Sequence, residues 1–476
     1  MTIPMARNGS DTDDQHSHYR TDNCAENGVA TKSGSKVCST YTAHEESDGD
    51  CESQTSELEW GDEPFEELEP KVVLLCKQLW PDRVGQVHIA NIAGGMYNRV
   101  VGITVGPIKS DKPSDDSAST YFFSFLQKSV KTVLGWKRFL QSAITEPIPE
   151  TLQYILRIPR DPERYSVEKQ AAIFRFAQGL STWFEVPTEV HVDGTYDNAL
   201  GTPFLIQHRI PGTCLEEMYA TLNHQQKISV ALYIGRVFYE LSKHHSSLAG
   251  VIDPLSISEN SDEKKIRILK TEIDADTVPS TPATRQTPLE VLQSKFQDWK
   301  SLGADPDYPD EEEWLPFSKM VQMAQEQQAE HSTWSPQDRF YLNHGDLYPR
   351  NIMARIVNNN EVEMTGIVDW DLLNFAPAVI AFQPPYWLWK FDGRGEDRQF
   401  WSEERYNAVS IEDKQIRTAF EAQAGLEVTK YGNNAASIMA NKIWEWAHNG
   451  IVGNHVIDLA EEVVGRWEAG KEETSE

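Results

Sequence analysis

Cysteine is scarce in this chain, with five residues in 476. Three of them (Cys24, Cys38 and Cys51) fall in a polar N-terminal stretch with His44 nearby, and their spacing fits no zinc pattern. A disulfide framework is not indicated, and the thiols read as reduced, in a reducing compartment. Long apolar runs are also missing: no stretch approaches the ~18 apolar residues that span a bilayer. The residues from Met1 to Asp11 lack the apolar core of a signal peptide and are too acidic for a transit peptide, so a cytoplasmic location is expected. Positive charge is short as well. The chain has 44 Lys and Arg against 73 Asp and Glu, a net charge of −29. With no basic stripe, no nucleic-acid partner is expected.

What is present is the composition of a globular protein with polar appendages, 39% hydrophobic with 14 Trp. Residues 1–66 are polar and acidic with almost no apolar periodicity and read as a disordered tail. Residues 1–70 hold 17 Asp and Glu against 4 Lys and Arg, so much of the net charge belongs there. The remainder suits a cationic substrate and, equally, simple solubility. Order is expected from a short helix, Pro70 to Trp80.

The most telling segment is Tyr341-Leu-Asn-His-Gly-Asp-Leu-Tyr-Pro-Arg-Asn-Ile-Met353, followed by Thr365-Gly-Ile-Val-Asp-Trp-Asp371. Asp346 stands five residues before Asn351, and Asp369 follows at the end of an apolar run. Phosphoryl transfer uses that set: one carboxylate to take the proton of the attacking hydroxyl, and an amide oxygen with a second carboxylate to hold Mg²⁺ on the phosphates. The pattern reads as strand (340–343), loop (344–350), strand (352–357), turn and strand (363–368).

These residues resemble the aminoglycoside phosphotransferase and choline kinase-like family of the protein kinase-like fold, roughly over residues 88 to 390. Gly345 stands where a protein kinase has the Arg of its His-Arg-Asp loop. The resemblance implies an α+β, two-lobed fold: a small antiparallel-sheet N-lobe (67–210) and a larger, mostly helical C-lobe (211–470). Within these an insertion is expected near 107–150 and a mobile loop near 252–288, and residues 471–476 should fray.

The resemblance also implies an ATP- and Mg²⁺-dependent phosphotransferase acting on a hydroxyl of a small molecule. Asp346 is then the residue that accepts the hydroxyl proton, His344 braces the loop, and Asn351 and Asp369 hold the metal. The hairpin Val87 to Val105 lies over the nucleotide, with Gly94, Gly95, Asn98 and Arg99 matching the family's Gly-Gly-x-x-Asn-Arg segment. Arg157 replaces the usual Lys on the strand 153–159. Glu168, in a helix opened by Ser166, is placed to pair with Arg157. The linker Gln207 to Ile210, including His208, presents backbone to the adenine. Asp371 is open between a role at the metal or substrate and a surface carboxylate. Asn223 is expected to cap a scaffold helix, and His244 and His245 close it without a metal. Two other readings remain: a catalytically weak or inactive nucleotide-binding regulator, which Arg157 favours, and a kinase for another hydroxyl-bearing acceptor.

Overall fold

In the computed structural model, the apolar runs between residues 87 and 208 pair into one antiparallel sheet. The structure describes residues 61–92, 94–95, 97–106, 151–180, 183–257, 266–272, 278–302, 314–331, 333–334, 339–390, 410–432, 435–449 and 454–475. The expected tail up to residue 60 and the insertion at 107–150 lie outside them. Helix α1 (Phe65–Leu79) leads into strands β1 (Val87–Ile92), β2 (Asn98–Val105) and β3 (Leu152–Pro159). Helix α2 (Val167–Gln178) and strands β4 (Glu189–Asp193) and β5 (Phe204–His208) complete the N-lobe. The strand order is β1-β2-β3-β5-β4. Alternation along β2 and β3 sends Val101, Ile103, Tyr154 and Leu156 to one face, where Leu68, Val72, Leu75 and Cys76 of α1 close a small core. The register places Val100 opposite Arg157.

Helix α1 begins at Phe65, five residues before the expected Pro70. Glu66 and Glu67 in its first turn suit the positive end of the helix dipole, while Pro70, at the sixth helical position, lacks the N–H that would bond the Glu66 carbonyl. The hinge also differs from expectation. Gln207 and His208 belong to β5, opposite Ile155 and Tyr154 of β3, so the connector to the C-lobe starts at Arg209. The ladder takes in those two polar residues because β3 runs on opposite them, past the end of the apolar run at Ile206.

Strand β6 (Thr213–Cys214) enters the C-lobe, followed by α3 (His224–Ser242), β7 (His245–Ser246), β8 (Gly250–Ile252) and β9 (Ile268–Leu269). Then come α4 (Pro288–Leu302), α5 (Leu315–His331), β10 (Phe340–Asn343), β11 (Ile352–Asn358), β12 (Glu361–Ile367) and β13 (Asn374–Pro377). Helices α6 (Ile411–Ala424), α7 (Ala435–Asn449) and α8 (Asn454–Ser475) close the chain. Asn223 caps α3 through a full capping box with Gln226. Val230, Ala231, Ile234, Val237, Phe238 and Leu241 form its buried face. Gly235 allows α6 to approach closely: a Cβ there would meet the Phe420 carbonyl at 2.5 Å.

Two small sheets, β7-β10-β13-β8-β9 and β12-β11-β6, carry the motif loops. Part of the expected mobile loop at 252–288 is a strand instead. Ile268 and Ile252 are buried in the core across the β8–β9 pair, and Arg267 anchors the segment to Asp253 at 2.6 Å. The end expected to fray at 471–476 continues α8 to Ser475, as its run of helix-forming Glu and Lys permits. The small sheet lobe and the larger, mostly helical lobe are the two-lobed kinase-like arrangement implied by the sequence. No helix among the described residues is long and apolar enough to cross a membrane.

Candidate active site

The loop between β10 and β11 holds its own side chains in place. His344, 1% exposed, lies with Nε2 3.1 Å from the Val368 carbonyl, and its Nδ1 accepts the Asp346 backbone N–H at 3.3 Å. A donor at one nitrogen and an acceptor at the other assigns the neutral Nε2–H tautomer. Burial drives its pKa down to about 4, against the opposing pull of Asp369. His344 therefore ties the Asp346 loop to the Asp369 loop as a neutral brace.

Gly345 explains the departure from the His-Arg-Asp pattern. Its φ is +83°, and a Cβ would stand 2.6 Å from the Leu372 carbonyl. No side chain fits where the two loops cross.

Asn351, 6% exposed, donates through Nδ2 to both the backbone carbonyl and the Oδ2 of Asp346, at 2.8 and 2.7 Å. Arg350 Nη2 takes the other carboxylate oxygen at 2.7 Å. Burial raises the Asp346 pKa, Arg350 and Asn351 pull it down, and Asp369 pushes it up again; the net direction is upward. The one sign of the Arg350 contact in the sequence is its i+4 spacing from Asp346, which the motif alone does not single out.

Asp369 occupies the left-handed region (φ 63°, ψ 55°), among the described residues the one non-glycine to do so. Such a conformation is held only by a surrounding that over-determines it. Its carboxylate is 3.5 Å from Arg157 Nη2, and the same guanidinium is ion-paired with Asp371. Asp371 is thus mostly buried and engaged with Arg157, which settles the open choice against a surface carboxylate. Its pKa is raised, chiefly by burial, with Arg157 opposing. Asp371 Oδ1 and Arg157 Nε are buried with no hydrogen-bond partner among the described residues.

Glu168 does not pair with Arg157. Its carboxylate accepts from Ser166 Oγ at 2.6 Å and lies against Gly194. Ser166 accordingly makes no capping bond to α2. The first turn of α2 faces that Asp193–Gly194 turn, and Phe174, further along the helix, meets Arg157, its ring centroid 5.4 Å from the guanidinium. The partner of Arg157 comes instead from the loop after β12.

In the β1–β2 hairpin, a Cβ on Gly94 would meet the Asn98 carbonyl at 2.7 Å, so the turn requires glycine there. The Gly95 carbonyl accepts from Arg160 at the end of β3. Asn98 is buried and its Oδ1 accepts from Gln170 of α2 at 3.3 Å, while Arg99 donates to the Glu63 carbonyl at 2.6 Å. Those two side chains brace the hairpin. Tyr97, which no sequence motif marks, feels the charges of Asp369, Asp346 and Asp371 and has a raised pKa, mainly from burial. Gln207 is buried in β5, and His208 is exposed, its ring 5.2 Å from Tyr154.

Arg157, Asp369 and Asp371 meet beside the Asp346–Asn351 pair. Two carboxylates and an amide oxygen are the hard donors that Mg²⁺ takes, and the unpartnered Asp371 Oδ1 fits a cation. Among the described residues no group of three or more His, Cys, Asp and Glu gathers at metal-binding spacing, so any such site rests on this smaller set.

No curated protein matches the chain. Among solved structures, the chain is similar to a GDP complex of aminoglycoside 2'-phosphotransferase-IIIa at 12% identity, covering 84% of this chain and 98% of that one, with a TM-score of 0.41. A spectinomycin phosphotransferase, APH(9)-Ia, in complex with ADP and spectinomycin shares 13% identity over 83% and 98%, with a TM-score of 0.30. An aminoglycoside phosphotransferase from Alicyclobacillus acidocaldarius shares 13% over 68% and 87%, with a TM-score of 0.27. Residues 145–399, more than half of the chain and including every residue of the Asp346, Asn351 and Asp369 set, match the phosphotransferase enzyme family, APH. The chain belongs to that family.

Proposed function

We propose that this protein transfers the γ-phosphoryl group of ATP, with Mg²⁺, to a hydroxyl of a small molecule. The observation that carries this reading is that three separate segments bring Asp346, Asn351, Asp369 and Arg157 together: Asn351 bonds Asp346, Arg157 pairs with Asp369, and the charges of both aspartates reach Tyr97 of the glycine hairpin. Asp346 orients the acceptor hydroxyl and takes its proton. As that proton leaves, a bond forms from the hydroxyl oxygen to the γ-phosphorus and the bond to the β-phosphate oxygen breaks, releasing ADP. Arg350 and Asn351 keep the carboxylate aimed, and neutral His344 fixes the loop without competing as a base. Asn351, Asp369 and Asp371 are the residues that would hold Mg²⁺, which when bound offsets the charge on the phosphates. Arg157 would turn to the phosphates as nucleotide enters, exchanging carboxylate for phosphate oxygens.

The Arg157 ion pairs also favour a second reading, a nucleotide-binding regulator with little turnover, because the cation is already engaged. Calorimetric titration of ATP with and without Mg²⁺, on the native protein and on Asp369→Ala, addresses the site. ADP release across hydroxyl-bearing acceptors, with Asp346→Asn as control, addresses the reaction. Mg²⁺-dependent binding lost in Asp369→Ala, with transfer abolished in Asp346→Asn, is the expected result. Binding without transfer to any acceptor favours the regulator, and full activity in Asp346→Asn overturns the assigned base.

A further inference from the structure

A cavity of about 730 Å³ opens from the Asp346 loop into the C-lobe, reaching Gly345, Tyr348 and Asp371 on one side and Lys295 and His448 on α4 and α7. Lys295 lies on the core-facing side of α4, among Val291, Leu292, Phe296 and Trp299, and is 4% exposed. A buried ammonium is costly without an opposite charge. Its Nζ contacts His448 Nδ1 at 3.4 Å and lies 5.8 Å from the centre of the Trp444 ring. Among the described residues no carboxylate forms an ion pair with it.

The other charges on the cavity wall are accounted for. Lys270 pairs with Asp298, Lys442 with Glu445 at 3.0 Å, and Asp371 with Arg157, which it shares with Asp369. His448 contributes no charge at neutral pH, because burial and Lys295 hold its pKa down to about 3. Lys295 is itself pushed down to about 8, by burial and then by Lys270, against weaker attraction from Asp298 and Glu272. It still carries its proton in most molecules at neutral pH. At its α4–α7 end the cavity thus has one surplus positive charge, beside the Trp444 ring, with Tyr348 and Tyr386 lining the same cavity.

We infer that the acceptor bound in this cavity is a hydroxy carboxylic acid with an apolar or aromatic body, its carboxylate taken by Lys295. This deepens, and rests on, the phosphotransferase reading of the same site. One surplus cation matches one negative charge, which favours a carboxylate over a phosphate dianion. A cationic acceptor, the alternative suggested by the acidic composition, would bring its ammonium group against Lys295.

The test uses the full chain without nucleotide, so that it does not depend on turnover. Binding of para-(hydroxymethyl)benzoate, its methyl ester and the corresponding benzylamine is measured by calorimetry. The same three are titrated into Lys295→Met and Lys295→Arg, with melting curves to confirm folding. The carboxylate should bind roughly tenfold to a hundredfold more tightly than the ester, as expected for a charge-assisted contact. That preference should vanish in Lys295→Met and survive in Lys295→Arg. If Lys295→Met does not fold, Lys295→Gln takes its place in the comparison. Equal binding of acid and ester, tighter binding of the amine, no binding of the acid, or an unchanged preference in the Met variant overturns the inference. A Lys295-dependent preference for the acid together with no ADP release from any acceptor would leave the anion site standing and remove the phosphotransferase reading.

Discussion

The guanidinium of Arg157 is ion-paired with Asp371, 214 residues further along the chain, and so joins β3 of the N-lobe to the loop after β12. Both partners are largely shielded from water. Removing the cation alone leaves a buried carboxylate uncompensated, an event that costs about 3–5 kcal/mol. Arg157→Ala should therefore lower unfolding free energy by about 3 kcal/mol in urea titration. Arg157→Lys should recover part of it, because the charge returns without the guanidinium's fork or its contact with Phe174. Asp371→Asn combined with Arg157→Ala should cost less than the sum of the single changes.

The two hydrogen bonds from Asn351 to Asp346 make a separate prediction. Asn351→Ala removes both, so the carboxylate is held by Arg350 alone and can swing away from the acceptor. Displacement of a reacting group by about 1 Å costs on the order of a hundredfold in rate. Phosphoryl transfer, followed by ADP release, should fall at least that far. A variant within about threefold of the native rate would show that Asn351 does not position the base.

Gly345 is constrained twice, by its positive φ and by the Leu372 carbonyl above it. Gly345→Ala adds a left-handed alanine, worth about 1–3 kcal/mol of strain, and a contact that only a backbone shift relieves. A lower melting temperature and a disproportionate loss of turnover are expected, since the shift moves His344 and Asp346 together. An unchanged melting temperature would contradict the crossing geometry of the two loops.

Much of this site is legible in the sequence because its information is local. The spacing of Asp346, Asn351 and Asp369, and the alternation of the strands around them, are short-range properties of one stretch of chain. The same holds for Asn223, whose capping partner Gln226 is three residues away. The failures concern partners distant in sequence. Glu168 suits a first helical turn in any context, so its identity says nothing about whether it faces Arg157 or the Asp193–Gly194 turn. Ser166 suits a helix cap in the same general way, although its hydroxyl goes to Glu168. Lys295 sits in a helix whose pattern allows a lysine anywhere, and only the packing of α4 against α7 reveals that it is buried with no carboxylate paired to it among the described residues. The ladder through Gln207 and His208 stays hidden because backbone pairing leaves little mark on residue type.

His344 and His448 make acid a destabilising condition. Each has a folded pKa, about 4 and about 3, below the 6.5 of an ordinary imidazole. Between those values the unfolded chain binds more protons than the folded one, so stability rises with pH across that window. The contribution of each neutral ring is present above about pH 6.5 and is lost as pH falls toward the folded value. For His344 the full loss is about 3 kcal/mol, since each tenfold weakening of proton affinity on folding corresponds to roughly 1.4 kcal/mol. Urea titrations at pH 7 and pH 4.5 should show the native protein weaker at the lower pH. His344→Gln and His448→Gln, which cannot charge, should each flatten that slope even if they lower stability at pH 7. The His448 variant has a further consequence, because its ring is a contact of Lys295. Losing the slope in His344→Gln but not in His448→Gln would mean that the His448 ring binds protons in the folded protein as it does in the unfolded chain, so that burial beside Lys295 does not hold its pKa down.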